Sequence, residues 1–280
     1  MPRDGLLVVD KPRGPTSHDI VAQARRIFGT RDVGHAGTLD PMATGLLVLG
    51  VGRATRLLRY LGELPKTYSA TGRLGEETDT LDADGALVRT SPVEVSLAEA
   101  ERACAALIGN SMQTPPAYSA VKVGGRKLYE AARKGDVLEP PARPIRVDAF
   151  DVTGFDGRDL EVLITCSGGT YVRVLVADVG RALGCGAHLV RLRRTAIGSF
   201  RVEDARPPDA ATPEPIERAV EHLPSISVET EEAAAVTNGR ILGPAGIEGP
   251  YAVFGLDGAL KGIYRDDGAK ARPEVVLASG

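Results

Sequence analysis

The chain has 280 residues, 43% of them hydrophobic and 25% charged, and a formal net charge of −3. This length predicts one large domain or one domain with a small companion, and the apolar content is sufficient for a sizeable core. No run of about 18 apolar residues predicts a membrane span, and residues 1–5 lack the pattern of a secretory signal. The three cysteines are widely spaced and have no metal-binding spacing, which indicates reduced thiols, so we expect a cytoplasmic protein.

The charge is distributed unevenly along the chain. Residues 1–200 carry 26 lysines and arginines against 23 aspartates and glutamates, whereas residues 201–280 carry 8 against 14. The larger part is therefore mildly basic and the tail is acidic. Basic clusters contact phosphates in nucleic-acid-binding proteins, although an ordinary solvated surface is the alternative. The clusters are Arg25 and Arg26; Arg53, Arg56 and Arg59; Lys122, Arg126 and Lys127; and Arg191, Arg193 and Arg194.

Hydrophobic periodicity predicts the elements of the first half of the chain. Ser17 is the predicted cap of a first helix that ends at Gly29, and Ser96 with Glu99 predicts a capping box for a helix that runs through Ile108. The other predicted elements are strands at 5–10, 46–49 and 66–74 and a helix at 53–61.

In the second half, strands are predicted at 145–152 and 160–166 around a turn, followed by a helix at 171–183. Strands and helices mix without strict alternation, which favours an α+β fold over a doubly wound sheet. A proline-rich stretch then ends at Pro224, and short apolar runs separated by glycines follow it. We therefore predict a larger domain over residues 1–223 and a small all-β domain over residues 224–280.

The most informative segment is 34–45, where three glycines and a proline surround one carboxylate, Asp40. Pro41 directs Asp40 into an extended conformation. The glycines allow tight turns and close approach of a ligand to the backbone. A loop of this composition is able to present a carboxylate to a substrate, although an Asp-Pro in such a loop is more often a simple turn.

Segments spread over roughly residues 5–200 resemble, in order and with plausible spacing, the motifs of pseudouridine synthases of the bacterial TruB type. Together they are far more specific than any one of them. Two departures are Gly168, where many relatives carry a basic residue, and a short acidic tail that resembles a PUA-type RNA-binding domain only faintly. The matching segments are 10–14 with Ser17, 34–45, 66–68, 116–122, 129–133, 169–173, 183–189 and 192–194.

The resemblance implies a catalytic role for three residues. Asp40 would be the nucleophile or charge stabiliser close to the sugar and base, and Arg173 its ion-pair partner, which holds the carboxylate in a bidentate fork and keeps it ionised. Tyr68 would stack on the extruded uracil near C5. Without the resemblance, a surface arginine and a half-buried strand aromatic would be the ordinary interpretations of Arg173 and Tyr68.

Further residues are implied in substrate binding. Tyr171 and Leu192 match positions that line the base pocket, with ordinary core packing as the alternative, and His35 would fill the space left by the extruded uridine. Asp82 is interpreted as part of a structural turn, with contact to the substrate as the less favoured alternative. Lys11 is expected to support the loop that carries Asp40.

The resemblance implies isomerisation of uridine 55 in the T loop of tRNA to pseudouridine, without metal or cofactor. The expected fold is an α+β catalytic domain around a mixed, largely antiparallel sheet, followed by a PUA-like all-β domain. The expected partner is the T-arm of tRNA, with neither a membrane nor a protein partner implied. A guide-RNA-dependent synthase of the same superfamily and an RNA-binding tRNA-folding chaperone, in which catalysis is secondary, remain as alternatives.

Overall fold

The computed structural model describes residues 4–116 and 140–277, together with the backbone of Lys122–Val123 and Arg126–Lys127. The motif segment 129–133 and most of the segment 116–122 lie outside the described residues, as do the side chains of the basic cluster at 122–127. Within the described part of the chain, no helix is long and apolar enough to cross a membrane.

The described chain alternates strands and helices without a fixed repeat. The helices are α1 (Ser17–Phe28), α2 (Leu58–Glu63), α3 (Leu97–Ala105), α4 (Val172–Ala182) and α5 (Thr230–Thr237). The strands are β1 (Gly5–Lys11), β2 (Val33–His35), β3 (Thr44–Val51), β4 (Lys66–Leu74), β5 (Glu76–Thr78), β6 (Leu87–Thr90), β7 (Gly109–Gln113), β8 (Lys122–Val123), β9 (Arg126–Lys127), β10 (Arg143–Phe155), β11 (Asp159–Cys166), β12 (Ala187–Ile197), β13 (Phe200–Arg201), β14 (Ser225–Val228), β15 (Pro250–Gly255), β16 (Leu260–Asp267) and β17 (Lys270–Val276).

A nine-stranded sheet forms the centre of the larger domain. Its main path is β1-β3-β12-β4-β11-β10-β7, with β2 paired to β3 and β13 paired to β12. The β3–β12 pairing is parallel and the other pairings in this sheet are antiparallel. The predicted α+β class with a mixed, largely antiparallel sheet is therefore confirmed.

Strands β1 and β3 are buried on both faces, which explains their almost continuous apolar sequences. Leu7 and Val9 pack into one hydrophobic cluster together with α1 and α4. Leu6 and Val8, which alternate with them, pack into a second cluster that also contains residues of α2. The loops at the ends of these central strands are consequently fixed to a rigid scaffold.

The observed helix ends correct two sequence predictions. Thr16 caps α1, because its hydroxyl accepts from the Asp19 N–H and the Asp19 carboxylate accepts from the Thr16 N–H. Ser17, the predicted cap, is instead the first helical residue and is buried. The capping box at Ser96 is confirmed, but α3 ends at Ala105 and does not continue to Ile108.

Most of the remaining predicted elements are observed within one to three residues of their predicted ends. Strand β4 has the predicted bounds, and the predicted helix at 171–183 is observed as α4. The predicted helix at 53–61 is a 3₁₀ helix, Gly52–Leu57, followed directly by α2.

The C-terminal region forms a four-stranded sheet in the order β14-β15-β16-β17, with the short helix α5 packed on it. This sheet contributes to the second hydrophobic cluster, where Ile263 and Val275 share a core with Leu57 and Leu61. The contact is reinforced by an ion pair between Arg59 and Glu274, whose Nη2 and Oε2 atoms are 2.7 Å apart. The C-terminal region is therefore docked on the larger domain through both apolar and charged contacts.

The junction between α4 and β12 generates a stability prediction. A Cβ atom on Gly180 would lie 2.3 Å from the backbone nitrogen of Ala187, so Gly180→Ala should lower the free energy of unfolding by about 3 kcal/mol, at the upper end for overpacking. Gly62→Ala is the control, because a Cβ there meets nothing within 4 Å and alanine favours the helix by about 0.5–1 kcal/mol. Urea denaturation measures both, and equal stability of the two variants would contradict the expected clash.

Candidate active site

A cavity of about 560 Å³ lies where the loop preceding β3, the start of α4 and strands β4 and β12 meet. Seven segments that are distant in the sequence contribute to its walls. Its lining residues include Asp40, Lys66, Tyr68, Asp82, Arg143, Tyr171, Arg173, Leu192 and Arg194. The structure therefore brings together every predicted site residue except His35.

The loop that carries Asp40 is held by a buried arginine from β12. Arg194 is 1% exposed. Its guanidinium donates hydrogen bonds to the carbonyls of Gly37, Thr38 and Leu46 at 3.2, 3.4 and 2.7 Å. Buried carbonyls need such partners, and one rigid fork supplies all three. The basic cluster at 191–194 suggested a phosphate contact, but Arg194 is buried and therefore cannot make one.

Two further side chains hold the backbone on either side of Asp40. Ser17 is buried beneath the loop, where its hydroxyl accepts from the Leu39 N–H at 2.8 Å and donates to the Leu39 carbonyl at 3.1 Å. The Lys11 ammonium lies 3.4 Å from the Pro41 carbonyl. The residues adjacent to Asp40 are thus both bonded to side chains of other elements.

A close backbone approach at the end of the loop explains one of its glycines. Gly45 has a φ of +101°, and a Cβ atom there would lie 2.3 Å from the Arg194 carbonyl oxygen. Any other residue would push β3 away from β12 at the point where these strands begin their parallel pairing.

Arg173 lies in the first turn of α4 and is only 4% exposed. Its Nη2 is 3.5 Å from Oδ2 of Asp40, while its Nη1 is 3.2 Å from Oδ2 of Asp82 and donates to the Thr80 carbonyl. The expected bidentate fork on Asp40 is therefore wrong. The guanidinium is shared between two carboxylates, with Nη2 facing Asp40 and Nη1 facing Asp82.

Asp82 lies in a turn, as interpreted from the sequence, but it also completes the charged centre. Its Oδ1 accepts from the Thr80 hydroxyl at 2.6 Å and from the Asp84 N–H at 3.2 Å, which leaves Oδ2 directed at Arg173. The acidic run at 79–84 is the sequence signal for this second carboxylate, and only the fold shows that it reaches α4.

The pKa of Asp40 is raised above its ordinary value. Burial is the main cause, and the negative charge of Asp82 adds to it, whereas Arg173 and Lys11 act in the opposite direction. The cations therefore limit the rise without removing it. A partly desolvated carboxylate whose pKa is raised is a stronger base and nucleophile than a fully solvated one.

Three of the predicted site residues lie in the less polar part of the cavity wall. Tyr68 on β4 and Leu192 on β12 are both buried, and Tyr171 precedes the first turn of α4. Burial raises the pKa of the Tyr68 phenol, and the positive charge of Arg194, its cross-strand neighbour, opposes that rise. The Tyr68 phenol is therefore un-ionised at neutral pH.

His35 lies in β2, outside the cavity lining. Its ring packs edge-to-face on His18, with centroids 5.6 Å apart, and its Nδ1 accepts from the Gly37 N–H at 3.3 Å. Burial lowers the pKa of His35 to about 4, assisted by the positive charges of His18 and Arg194. The imidazole is therefore neutral at physiological pH, in the tautomer with the proton on Nε2.

Several arginines predicted as phosphate contacts are engaged within the protein. Arg193 forms a bidentate pair with Asp10, Arg53 pairs with Asp4, and the Arg56 guanidinium donates to the Val276 carbonyl. Arg191 is exposed. Arg53, Arg56 and Arg193 therefore connect elements of the fold.

Lys66 was not singled out by the sequence pattern beyond its place beside Tyr68. Its ammonium is buried and donates to the carbonyls of Leu61, Gly62 and Leu64 at 3.3, 2.7 and 2.6 Å. Burial lowers its pKa to about 8.

Within the described ranges, no group of three or more His, Cys, Asp or Glu residues is placed to share a metal ion.

Sequence profiles of one enzyme family cover most of the chain. The profile of the N-terminal domain of the TruB family pseudouridylate synthases matches residues 25–172. A tRNA pseudouridylate synthase B C-terminal domain matches residues 173–221, and a tRNA pseudouridine synthase II C-terminal profile matches residues 223–278.

Relatives of similar length carry one name. The chain is 46% identical to a tRNA pseudouridine synthase B of Mycobacterium sp. (strain KMS) over 98% of this chain and 96% of that protein. It is also 46% identical to the Nocardia farcinica protein of that name, over 99% and 94%. Among solved structures, a Cbf5–Nop10–Gar1 complex matches with a TM-score of 0.76 and 27% identity over 98% of this chain and 84% of the matched one.

The partly buried His35 generates a pH prediction. Its pKa is about 4 in the folded protein and near 6.5 in an unfolded chain, so below about pH 6.5 the unfolded state binds the proton more readily. The stability contribution of this neutral imidazole is complete above pH 6.5 and is lost as the pH falls through 4. His35→Gln should therefore reduce the decline in unfolding free energy between pH 6.5 and 4.

Denaturant titrations of wild type and variant at several pH values measure this difference directly. Other groups with lowered pKa values, such as Asp4 and His222, are present in both proteins and cancel in the comparison. Parallel stability profiles of the two proteins over this interval would show that His35 titrates normally in the folded state.

Proposed function

The chain belongs to the TruB family of pseudouridine synthases, and we propose that it isomerises uridine 55 in the T loop of tRNA, with Asp40 as the catalytic carboxylate. The observation that carries the proposal is the ion pair between the partly buried Asp40 and the buried Arg173 in a cavity with two tyrosines. Relatives named tRNA pseudouridine synthase B support tRNA over a guide-RNA-dependent substrate.

The reaction is balanced without any second substrate. The N1–C1′ glycosidic bond breaks, the uracil rotates, and C5 forms a new bond to C1′. The proton on C5 is lost and N1 gains a proton, so no electrons are gained or lost overall. The chain therefore needs to supply a nucleophile or anion, a group that accepts the C5 proton, and a pocket that excludes water. It needs no cofactor.

Asp40 is the group that meets the first need. A carboxylate forms covalent intermediates at sugar carbons or at the base, and it also removes the C2′ proton when the base leaves by elimination to a glycal. Each of these routes requires an ionised oxygen beside the nucleoside. The raised pKa of Asp40 makes that oxygen more basic, and the anchored loop fixes its position.

Arg173 and Asp82 complete the charged part of the mechanism. When Asp40 forms a bond to the substrate, it loses its negative charge and its attraction for the guanidinium weakens. Because Arg173 is also paired with Asp82 at 3.2 Å, the buried cation retains a counter-charge throughout the cycle. An unpaired buried cation would otherwise raise the energy of the covalent state.

The remaining cavity wall suits an extruded base. Tyr68, Tyr171 and Leu192 offer two aromatic rings and an aliphatic side chain, which is a surface on which a uracil is able to stack. His35 lies next to the loop but outside the cavity. We therefore assign it to the RNA stack that the uridine leaves, where a neutral ring offsets part of the cost of extrusion.

We assign chemistry to residues 1–223 and RNA affinity in part to a PUA-like domain over residues 224–280, in a cytoplasmic protein that needs no protein partner. The T-arm would be recognised mainly by its shape and its extruded nucleotides. The acidic composition of the tail limits its contribution to phosphate binding, so most of the affinity should come from the larger domain.

Asp40→Asn tests the proposed chemistry. The amide keeps the shape of the carboxylate but removes its charge and nucleophilicity, so pseudouridine formation at position 55 of a tRNA transcript should fall by at least about a thousandfold. The affinity for tRNA should stay within about threefold. Chemical mapping of pseudouridine gives the position, and tritium release from [5-³H]uridine tRNA gives the rate.

Asp32→Asn is the matched control, because Asp32 is exposed just before β2 and should retain wild-type turnover. Substantial turnover by Asp40→Asn would remove Asp40 from the chemistry. Wild-type protein that binds tRNA and forms no pseudouridine would instead favour the chaperone function.

Arg173→Lys tests the divided guanidinium. A lysine keeps the charge, but its single ammonium does not bridge Asp40 and Asp82 as the planar fork does, so kcat should fall about a hundredfold. The tRNA dissociation constant should change little, since Arg173 is buried. Arg181→Lys in the same helix, which is exposed and pairs with Asp178, should leave kcat unchanged. An unchanged kcat with weakened tRNA binding would make Arg173 a phosphate contact.

A further inference from the structure

Tyr171 is held by a buried glutamine that the sequence pattern did not single out. Gln113 is the last residue of β7 and is 4% exposed. Its Oε1 accepts from the Tyr171 N–H at 2.8 Å, and its Nε2 donates to the Tyr171 carbonyl at 3.1 Å. Both ends of one side-chain amide are therefore used on the backbone of a single residue.

The opposite residue of the neighbouring strand reaches the ring of the same tyrosine. Arg143 is the register partner of Gln113 in the β7–β10 pairing. Its guanidinium carbon lies over the Tyr171 ring, 4.8 Å from the centroid, and its Nη2 donates to the Gly169 carbonyl. One cross-strand pair thus contacts Tyr171 at its backbone and on its ring.

These contacts define the orientation of the ring. Tyr171 is extended, with φ −96° and ψ +107°, immediately before α4 begins. The two hydrogen bonds of Gln113 fix that backbone, and a cation over an aromatic face favours one ring plane. A buried amide also loses considerable free energy if it is not hydrogen-bonded, which makes this conformation strongly preferred.

The geometry points to Gln113 and Arg143 as positioning residues that fix the plane of the Tyr171 ring against which the extruded uracil packs. This inference rests on the proposed function. Among the described residues, the side-chain amide of Gln113 hydrogen-bonds to Tyr171 alone, and Gln113 is not part of the cavity lining. Its effect should consequently appear in the rate of the chemical step and not in tRNA affinity, because a preformed wall reduces the reorganisation that precedes reaction.

The test is single-turnover pseudouridine formation in a tRNA transcript, with tRNA affinity and thermal unfolding measured in parallel. Gln113→Met keeps the volume and removes both hydrogen bonds, so the rate constant should fall about tenfold to a hundredfold. Met112→Ala is the control, because Met112 is exposed on the same strand and should react like wild type. Arg143→Lys, which loses the planar fork, should be about threefold to tenfold slower.

Gln113→Glu adds a readout that a purely structural role would not give. An ionised carboxylate accepts from the Tyr171 N–H but repels the Tyr171 carbonyl, whereas the protonated acid makes both bonds of the amide. The rate of this variant relative to wild type should therefore recover as the pH is lowered from 8 towards about 5, since burial raises a glutamate pKa above its usual 4.3 or so.

A double-mutant cycle decides whether the ring carries the effect. In a Tyr171→Ala background no ring remains to be positioned, so Gln113→Met should slow the reaction by less than about twofold. If Gln113→Met slowed the reaction in that background as much as it does in the wild type, the inference would be overturned. Gln113 would then act through α4 and Arg173. Wild-type rates in Gln113→Met, or an absence of pH recovery in Gln113→Glu, would also overturn the inference.

The outcome is distinguishable from failure of the proposed function. If wild-type protein forms no pseudouridine in tRNA, the proposed function fails first. If wild type reacts and Gln113→Met and Arg143→Lys both react like Met112→Ala, only the positioning roles fail. Should Gln113→Met not fold, Gln113→Glu at low pH and Arg143→Lys still test the same contacts.

Discussion

The arrangement of the site depends on the burial of one guanidinium. Arg173 has almost no access to solvent, and a buried cation is stable only with anions beside it. Asp40 and Asp82 supply these anions from two loops that are far apart in the sequence. The same contact therefore connects the Asp40 carboxylate, the acidic turn and the start of α4.

The position of the Asp40 carboxylate is well defined, because the backbone around it is hydrogen-bonded to side chains from other elements. Arg194 holds Gly37 and Thr38, Ser17 holds Leu39, and Lys11 approaches the Pro41 carbonyl. A loop in a buried setting needs partners for its peptide groups. Because these partners come from a sheet and a helix, they fix the position of Asp40 within the cavity.

Several arginines of this chain pair with acidic residues of the protein itself. Arg53 and Arg193 form ion pairs inside the larger domain, and Arg59 connects it to Glu274 of the C-terminal sheet. The net negative charge of the chain is therefore a poor guide to whether it binds RNA. The proposed recognition of tRNA would then depend on shape and on a fitted pocket more than on a basic surface. Tyr171, held by Gln113 and Arg143, is one wall of that pocket.

The sequence by itself determined the α+β class, the bounds of β4, the capping box at Ser96 and, through its resemblance, the segments that hold Asp40, Tyr68 and Arg173. These follow from local periodicity and short motifs, which are properties of neighbouring residues. Only the tertiary structure decided that Thr16 caps α1 while Ser17 holds Leu39, that Arg173 is shared with Asp82, and that Gln113 clamps Tyr171. The Ser17, Arg173 and Gln113 contacts each join residues distant in sequence that meet only when the fold forms, because buried polar groups need hydrogen-bond partners.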